Sequence, residues 1–174
     1  EMIIEIDPRQ LVAGKNELVL EKQGKGRLYY SVASEYHTPS QTLAPEENGL
    51  RVRRGYYRKV EGSDAYEPVT GPVNPGDEIT VRITINTDTP RTYIMVEDPL
   101  PSGFEAVDTP CDIYSWDFWY GRKEVRDEKV AVFSAYLKEG ENEITYSIRA
   151  ERPGTYKVMP AKVWGMYAPD VYGT

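Results

Sequence analysis

The chain has 174 residues, 40% of them hydrophobic and 28% charged, with a net charge of -7, which suits one large β domain or a medium domain with a smaller piece attached. The acidic balance argues against nucleic acid, whose phosphates call for Lys and Arg, and no run approaches the ~20 apolar residues of a membrane helix. A single cysteine, Cys111, and a single histidine, His37, allow no internal disulfide and are too few for the usual zinc ligand set.

Residues 1 to 36 predict three strands, at 1 to 6, 16 to 22 and 27 to 35, the last with Leu28, Tyr30 and Val32 alternating against polar neighbours. Gly24-Lys25-Gly26 reads as the hairpin turn between the second and third. Three strands form a thin sheet that buries two faces poorly, so they call for a partner in this chain or in a larger parent. Glu1 is not an initiator Met, which reads as an excised domain or a processed product. The lack of a signal peptide therefore says nothing about location. Residues 37 to 49 carry Pro39, Pro45 and Gly49 and read as a linker. The predicted domains are 1–45, a small β-strand unit with its linker, and 46–174, a β sandwich.

Leu50 and Val52 alternate with arginines, and the cluster Arg51, Arg53, Arg54, Arg58 and Lys59 reads as a solvated strand in preference to a partner-facing patch. Asn74-Pro75-Gly76-Asp77 is a turn, because proline fixes φ and glycine accepts the left-handed region. Ile79, Val81, Ile83 and Ile85 then point one way, and Thr80, Arg82, Thr84 and Asn86 the other. Pro101-Ser102-Gly103 is the next reversal. Residues 122 to 139 contain no Gly or Pro, and Val130, Phe133 and Leu137 fit a helix. Val130 and Val132 also alternate, and a hairpin at Arg126-Asp127-Glu128 followed by a strand over 129 to 137 is preferred. Ile144, Tyr146 and Ile148 repeat the period of two, between turns at Gly140-Glu141-Asn142 and Arg152-Pro153-Gly154. Fourteen Tyr against three Phe fit half-buried strand surfaces, where the ring packs and the hydroxyl stays wet. The predicted fold is all-β, an antiparallel sandwich preceded by a small strand unit.

Catalytic machinery is hard to assemble from this inventory. The only His lies in the linker, and there is no Gly-x-Ser-x-Gly elbow and no phosphate-cradling loop. Glu97 with Asp98, and Glu105 with Asp108, are the carboxylate pairs a glycosidase would need, but turn and edge-strand carboxylates are the preferred reading. The aromatics Tyr114, Trp116, Phe118, Trp119 and Tyr120, with Asp117 among them, suit either core and interface packing, which is preferred, or stacking on a sugar. At the end, Val163 to Asp170 reads as a last strand stopped by Ala168-Pro169. An ordinary chain end tied down by Trp164 and Met166 is the preferred reading. The alternative is a contact segment, the stop leaving Met166 and Tyr167 at the rim of the sheet, at least partly exposed and presented to a neighbour.

In order along the chain stand Glu97-Asp98-Pro99-Leu100-Pro101-Ser102-Gly103-Phe104-Glu105, Glu124-Val125-Arg126-Asp127-Glu128-Lys129-Val130, Pro153-Gly154-Thr155-Tyr156, Pro160-Ala161 and Met166-Tyr167-Ala168-Pro169-Asp170. This ordered set resembles the C-terminal macroglobulin-like domain of bacterial alpha-2-macroglobulins over residues 50 to 174. Residues 1 to 36 are similar, less closely, to strands of the CUB-like domain that follow the thioester domain in that family. The resemblance implies a non-enzymatic module of a protease-trapping inhibitor, with a macroglobulin-like sandwich and no cofactor or metal. It places Met166 and Tyr167 in the segment that shields the thioester. It implies as partners the thioester and other domains of the same parent, and target proteases through that parent. It also implies a periplasmic or cell-envelope location and a role in bacterial defence, with any membrane anchor in an N-terminal part of the parent. The Cys-x-Glu-Gln thioester motif is absent, since Cys111 is followed by Asp112-Ile113-Tyr114. The alternative function is a carbohydrate-binding or adhesin-type module using Tyr114, Trp116, Trp119 and Tyr120.

Overall fold

The structure, a computed structural model, describes residues 3–33, 43–107, 111–113 (by their backbone) and 121–174. It divides into two compact units, Glu1–Pro39 and Ser40–Thr174.

Within the first unit, residues 3–33 hold one 3-10 turn, Pro8–Gln10, capped by the Asp7 carboxylate on the Arg9 N–H at 2.9 Å. The strands predicted at 1–6, 16–22 and 27–35 are not formed among these residues, and Gly24-Lys25-Gly26 is a bend without flanking strands. The correction has a simple cause. Alternation gives a segment an apolar edge, but a strand exists only when a neighbour takes its N–H and C=O groups. Ile3, Val19, Tyr29, Tyr30 and Val32 stay exposed.

The second unit is the sandwich. In chain order its strands are β1 (Glu47–Asn48), β2 (Arg51–Lys59), β3 (Tyr66–Pro68), β4 (Glu78–Thr87), β5 (Arg91–Pro99), β6 (Phe104–Ala106), β7 (Cys111–Ile113), β8 (Gly121–Val125), β9 (Lys129–Leu137), β10 (Gly140–Ala150), β11 (Lys162–Gly165) and β12 (Ala168–Gly173). One sheet runs β1-β12-β11-β5-β9-β8-β7 and the other β3-β2-β4-β10-β6, with antiparallel pairing between neighbouring strands. The linker expected over 37 to 49 ends earlier than predicted: β1 already pairs with β12, and the Thr174 N–H reaches the Glu46 carbonyl at 2.9 Å.

The core follows from parity. β4 buries Ile79, Val81, Ile83 and Ile85, and β10 buries Ile144, Tyr146 and Ile148. From the facing sheet come Ile94 and Val96 of β5, Val130 and Val132 of β9, and Val163 of β11. Residues 129–137 form a strand and not a helix, because Val130 and Val132 both have to face the opposite sheet. Buried Asn142 stabilises the β9–β10 hairpin: its side chain donates to the Lys138 carbonyl at 2.9 Å and accepts from the Lys138 N–H at 3.2 Å.

Residues 151–161 cross from β10 to β11 over the Pro101-Ser102-Gly103 turn. The Glu151 N–H bonds the Gly103 carbonyl at 2.8 Å. The Tyr156 ring lies so close to Gly103 that a Cβ there would sit 2.1 Å from it.

Candidate functional site

β11 and β12 are joined by a two-residue hairpin loop, Met166-Tyr167, with Gly165 opposite Ala168. Two-residue hairpins match the strand twist when their loop residues adopt positive φ. Neither Met166 nor Tyr167 does so, and the ladder splays at once. The next pair is Trp164 with Tyr172, which leaves Pro169, Asp170 and Val171 without partners on β11. Proline, lacking an N–H, is well placed in such a bulge. The expectation that Ala168-Pro169 stops the last strand is therefore corrected. The chain continues through the bulge to Gly173, and Met166-Tyr167 form the tip of a hairpin. Asn48 of β1 holds the bulge by donating from Nδ2 to the Asp170 carbonyl at 2.6 Å.

The tip stands out from the sheet, with Met166 42% and Tyr167 80% exposed. Tyr93 of β5 meets it. The Met166 N–H donates to the Tyr93 carbonyl at 2.8 Å. The Tyr93 and Tyr167 rings pack edge to face, with centroids 5.3 Å apart and planes at 83°. Tyr93 has φ 55°, the one positive value at a non-glycine among the described residues. Such a backbone state costs a bulky residue about 1–2 kcal/mol.

A second polar constellation lies inside the sandwich. Asp98, 1% exposed, is ion-paired to Arg54 and accepts the Tyr146 hydroxyl at 2.6 Å. Arg54 also donates from Nη2 to the Met159 carbonyl at 2.9 Å, and its guanidinium lies 5.5 Å from the centre of the Tyr56 ring. Burial pushes the Asp98 carboxyl above the usual carboxylate range, against the pull of Arg54 and the Tyr146 hydroxyl. Burial, then the Asp98 charge, also drives the Tyr146 phenol upward. The cluster joins β2 and β10 of one sheet to β5 of the other and fastens residues 151–161, which is a structural task.

These contacts decide the other sequence candidates. Glu97 and Asp98 point to opposite faces of β5. Glu97 bonds Lys129 at 2.7 Å while Asp98 faces the core, so the two cannot flank one glycosidic bond. The preferred reading of Asp98 as a turn or edge carboxylate is corrected as well: it is a core residue. Glu105 of β6 sits opposite Arg149, and Asp108 lies outside the described residues. Of the basic cluster, Arg51 pairs with Glu47, Arg58 with Asp77 and Lys59 with Asp64, whereas Arg54 turns inward. His37 and the aromatics Tyr114, Trp116, Trp119 and Tyr120 lie outside the described residues. Among the described residues, no three His, Cys, Asp or Glu side chains group to hold a metal ion.

Sequence reasoning missed Tyr93 and the Arg54–Asp98–Tyr146 cluster. Parity carried the signal for the cluster. Arg54 falls in step with Leu50, Val52 and Tyr56, Asp98 with Ile94 and Val96, and Tyr146 with Ile144 and Ile148. For Tyr93, no sequence feature marks the left-handed backbone.

Residues 49–170 match the family described as the bacterial alpha-2-macroglobulin MG10 domain. An alpha-2-macroglobulin homolog of Nostoc is 27% identical over 98% of the chain and 10% of its own length. A Dictyostelium discoideum protein named circularly permutated Ras protein 2 is 31% identical over 91% of the chain and 4% of its own length. The chain thus spans a small part of either relative. A crystal structure of Salmonella alpha-2-macroglobulin reacted with methylamine superposes with a TM-score of 0.63 at 23% identity, covering 78% of this chain and 9% of that one, which shows the shared sandwich fold. With the family match extending over most of its length, and over the sandwich in particular, this chain belongs to the bacterial alpha-2-macroglobulins, a non-enzymatic family, and carries their MG10 domain.

Proposed function

We propose that this chain is the C-terminal structural and regulatory module of a protease-trapping inhibitor, and that its Met166-Tyr167 tip covers a reactive thioester on a neighbouring domain of the parent. The exposed tip carries the reading: a flexible thioether and a phenol project from a hairpin held on both flanks, by Tyr93 and by Asn48. An apolar side chain beside an acyl group excludes water, which slows hydrolysis, while a phenol fills space and keeps one hydrogen bond available. That the related Salmonella protein has been crystallised after reaction with methylamine, a small amine, supports an amine-reactive group in such a parent. The module works in the periplasm or cell envelope, where a protease trap serves bacterial defence.

The test is the parent protein with Met166→Ala and Tyr167→Ala together. Its reaction with methylamine should run faster than wild type, while the sandwich loses little stability, since exposed side chains contribute about 0.5 kcal/mol or less on truncation. A double variant that reacts at the wild-type rate would refute the shielding role.

A further inference from the structure

We infer that Tyr93 is the positioning residue of the Met166-Tyr167 tip, so that the docking element comprises three side chains from two places in the sheet. The inference rests on the reading above and adds to it a residue of a different strand.

Three observations converge on Tyr93. Its φ of 55° is a conformation that bulky L-residues rarely adopt. At the same position the β5–β9 ladder lapses: Thr92 pairs with Tyr136 and Ile94 with Ser134, and no pair is made between them. The carbonyl of Tyr93 accepts the Met166 N–H at 2.8 Å, so its peptide serves the tip. A strained residue persists where its surroundings over-determine it, and such strain concentrates at functional sites.

The ring carries the second half of the argument. Glycine would take the same φ without steric cost, so a requirement of the backbone alone does not explain a tyrosine here. Tyr93 is 54% exposed, and its ring's aromatic contact is with Tyr167, a residue 80% exposed. A contact between two exposed tyrosines buries little surface and adds little to folding. What it does is fix the direction in which Tyr167 projects.

The experiment uses the whole chain with Tyr93→Phe, Tyr93→Val and Tyr93→Gly, read by NMR for amide exchange at Met166 and for ring contacts of Tyr167. Tyr93→Phe should match wild type. Tyr93→Val, whose branched Cβ opposes left-handed φ, should raise Met166 exchange at least tenfold while β4 and β10 amides stay protected. Tyr93→Gly should keep the Met166 amide protected but let the Tyr167 ring average over orientations. Wild-type protection in Tyr93→Val with an ordered Tyr167 in Tyr93→Gly would overturn the inference. Should Tyr93→Val fail to fold, with β4 and β10 protection lost, Tyr93→Gly decides alone: a disordered Tyr167 ring supports the inference and an ordered one refutes it. A parallel series in the parent, read by methylamine reactivity, separates the two ideas. If Met166→Ala with Tyr167→Ala accelerates the reaction and Tyr93→Gly does not, the positioning role fails and the shielding reading stands. If the double variant has no effect, the shielding reading fails, and exchange in this chain still decides the role of Tyr93.

Discussion

The Tyr146 hydroxyl of β10 donates to Asp98 Oδ2 of β5 at 2.6 Å, across the two layers of the sandwich. Together with the Arg54 ion pair it satisfies both oxygens of a carboxylate in the core. Removing one member of such a buried pair strands the other. Asp98→Ala should therefore cost about 3–5 kcal/mol, whereas replacing Arg54, Asp98 and Tyr146 together by Met, Leu and Phe should restore much of the loss. Urea denaturation of the single and triple variants checks both statements. A single variant within about 1 kcal/mol of wild type would contradict them.

The same carboxylate gives stability a pH dependence of known sign. The folded pKa of Asp98 lies above the ordinary aspartate value of 3.8 because the carboxyl is buried. Between these values the folded state holds a proton that the unfolded chain has released. The contribution of Asp98 is then complete below 3.8 and is lost as pH rises through the folded pKa. The stability of wild type minus that of Asp98→Asn should fall over this window, measured by denaturation between about pH 3 and 7. A difference that rises with pH would reverse the assignment.

Gly103 is fixed by contact and not by backbone conformation. A Cβ there meets the Tyr156 ring at 2.1 Å, and the ring is anchored by its hydroxyl donating to the Pro153 carbonyl at 3.0 Å. Gly103→Ala should destabilise by about 1–3 kcal/mol through overpacking. Adding Tyr156→Ala should relieve part of that cost, so the pair should be non-additive by at least ~0.5 kcal/mol in a double-mutant cycle. Strict additivity would show that the ring moves aside freely.

The isolated chain should not inhibit a common protease at stoichiometric ratio. Its one cysteine, Cys111, lacks the Cys-x-Glu-Gln context, so the chain has no thioester with which to hold an attacker. Measurable inhibition by the isolated chain would contradict this.

The sandwich was legible because its strands have one wet face. Ile79 to Ile85 and Ile144 to Ile148 announce their inward sides by alternation, and the turns at Asn74-Pro75-Gly76-Asp77 and Pro101-Ser102-Gly103 announce the reversals. The same alternation misled over residues 1 to 36, where Leu28, Tyr30 and Val32 have the pattern and no paired neighbour among the described residues. Pro169 misled for a different reason. A proline forbids one ladder hydrogen bond, and β12 avoids the need for it by bulging at that point. Charge alone points Arg54 and Asp98 to the surface, but their parity with the inward residues of β2 and β5 requires a buried pair. Tyr93 depends on a contact between β5 and the distant Met166-Tyr167 loop, which pattern within a single strand does not encode.

The most direct test of the account is the accessibility of Tyr167 in the parent protein. In this chain Tyr167 is 80% exposed. Hydroxyl-radical footprinting of the parent and of this chain, side by side, measures whether something covers it. The account predicts that Tyr167 labels several-fold more slowly in the intact parent, and regains the rate of the isolated chain once a protease has cleaved that parent. Equal labelling of Tyr167 in the intact parent and in the isolated chain would contradict it.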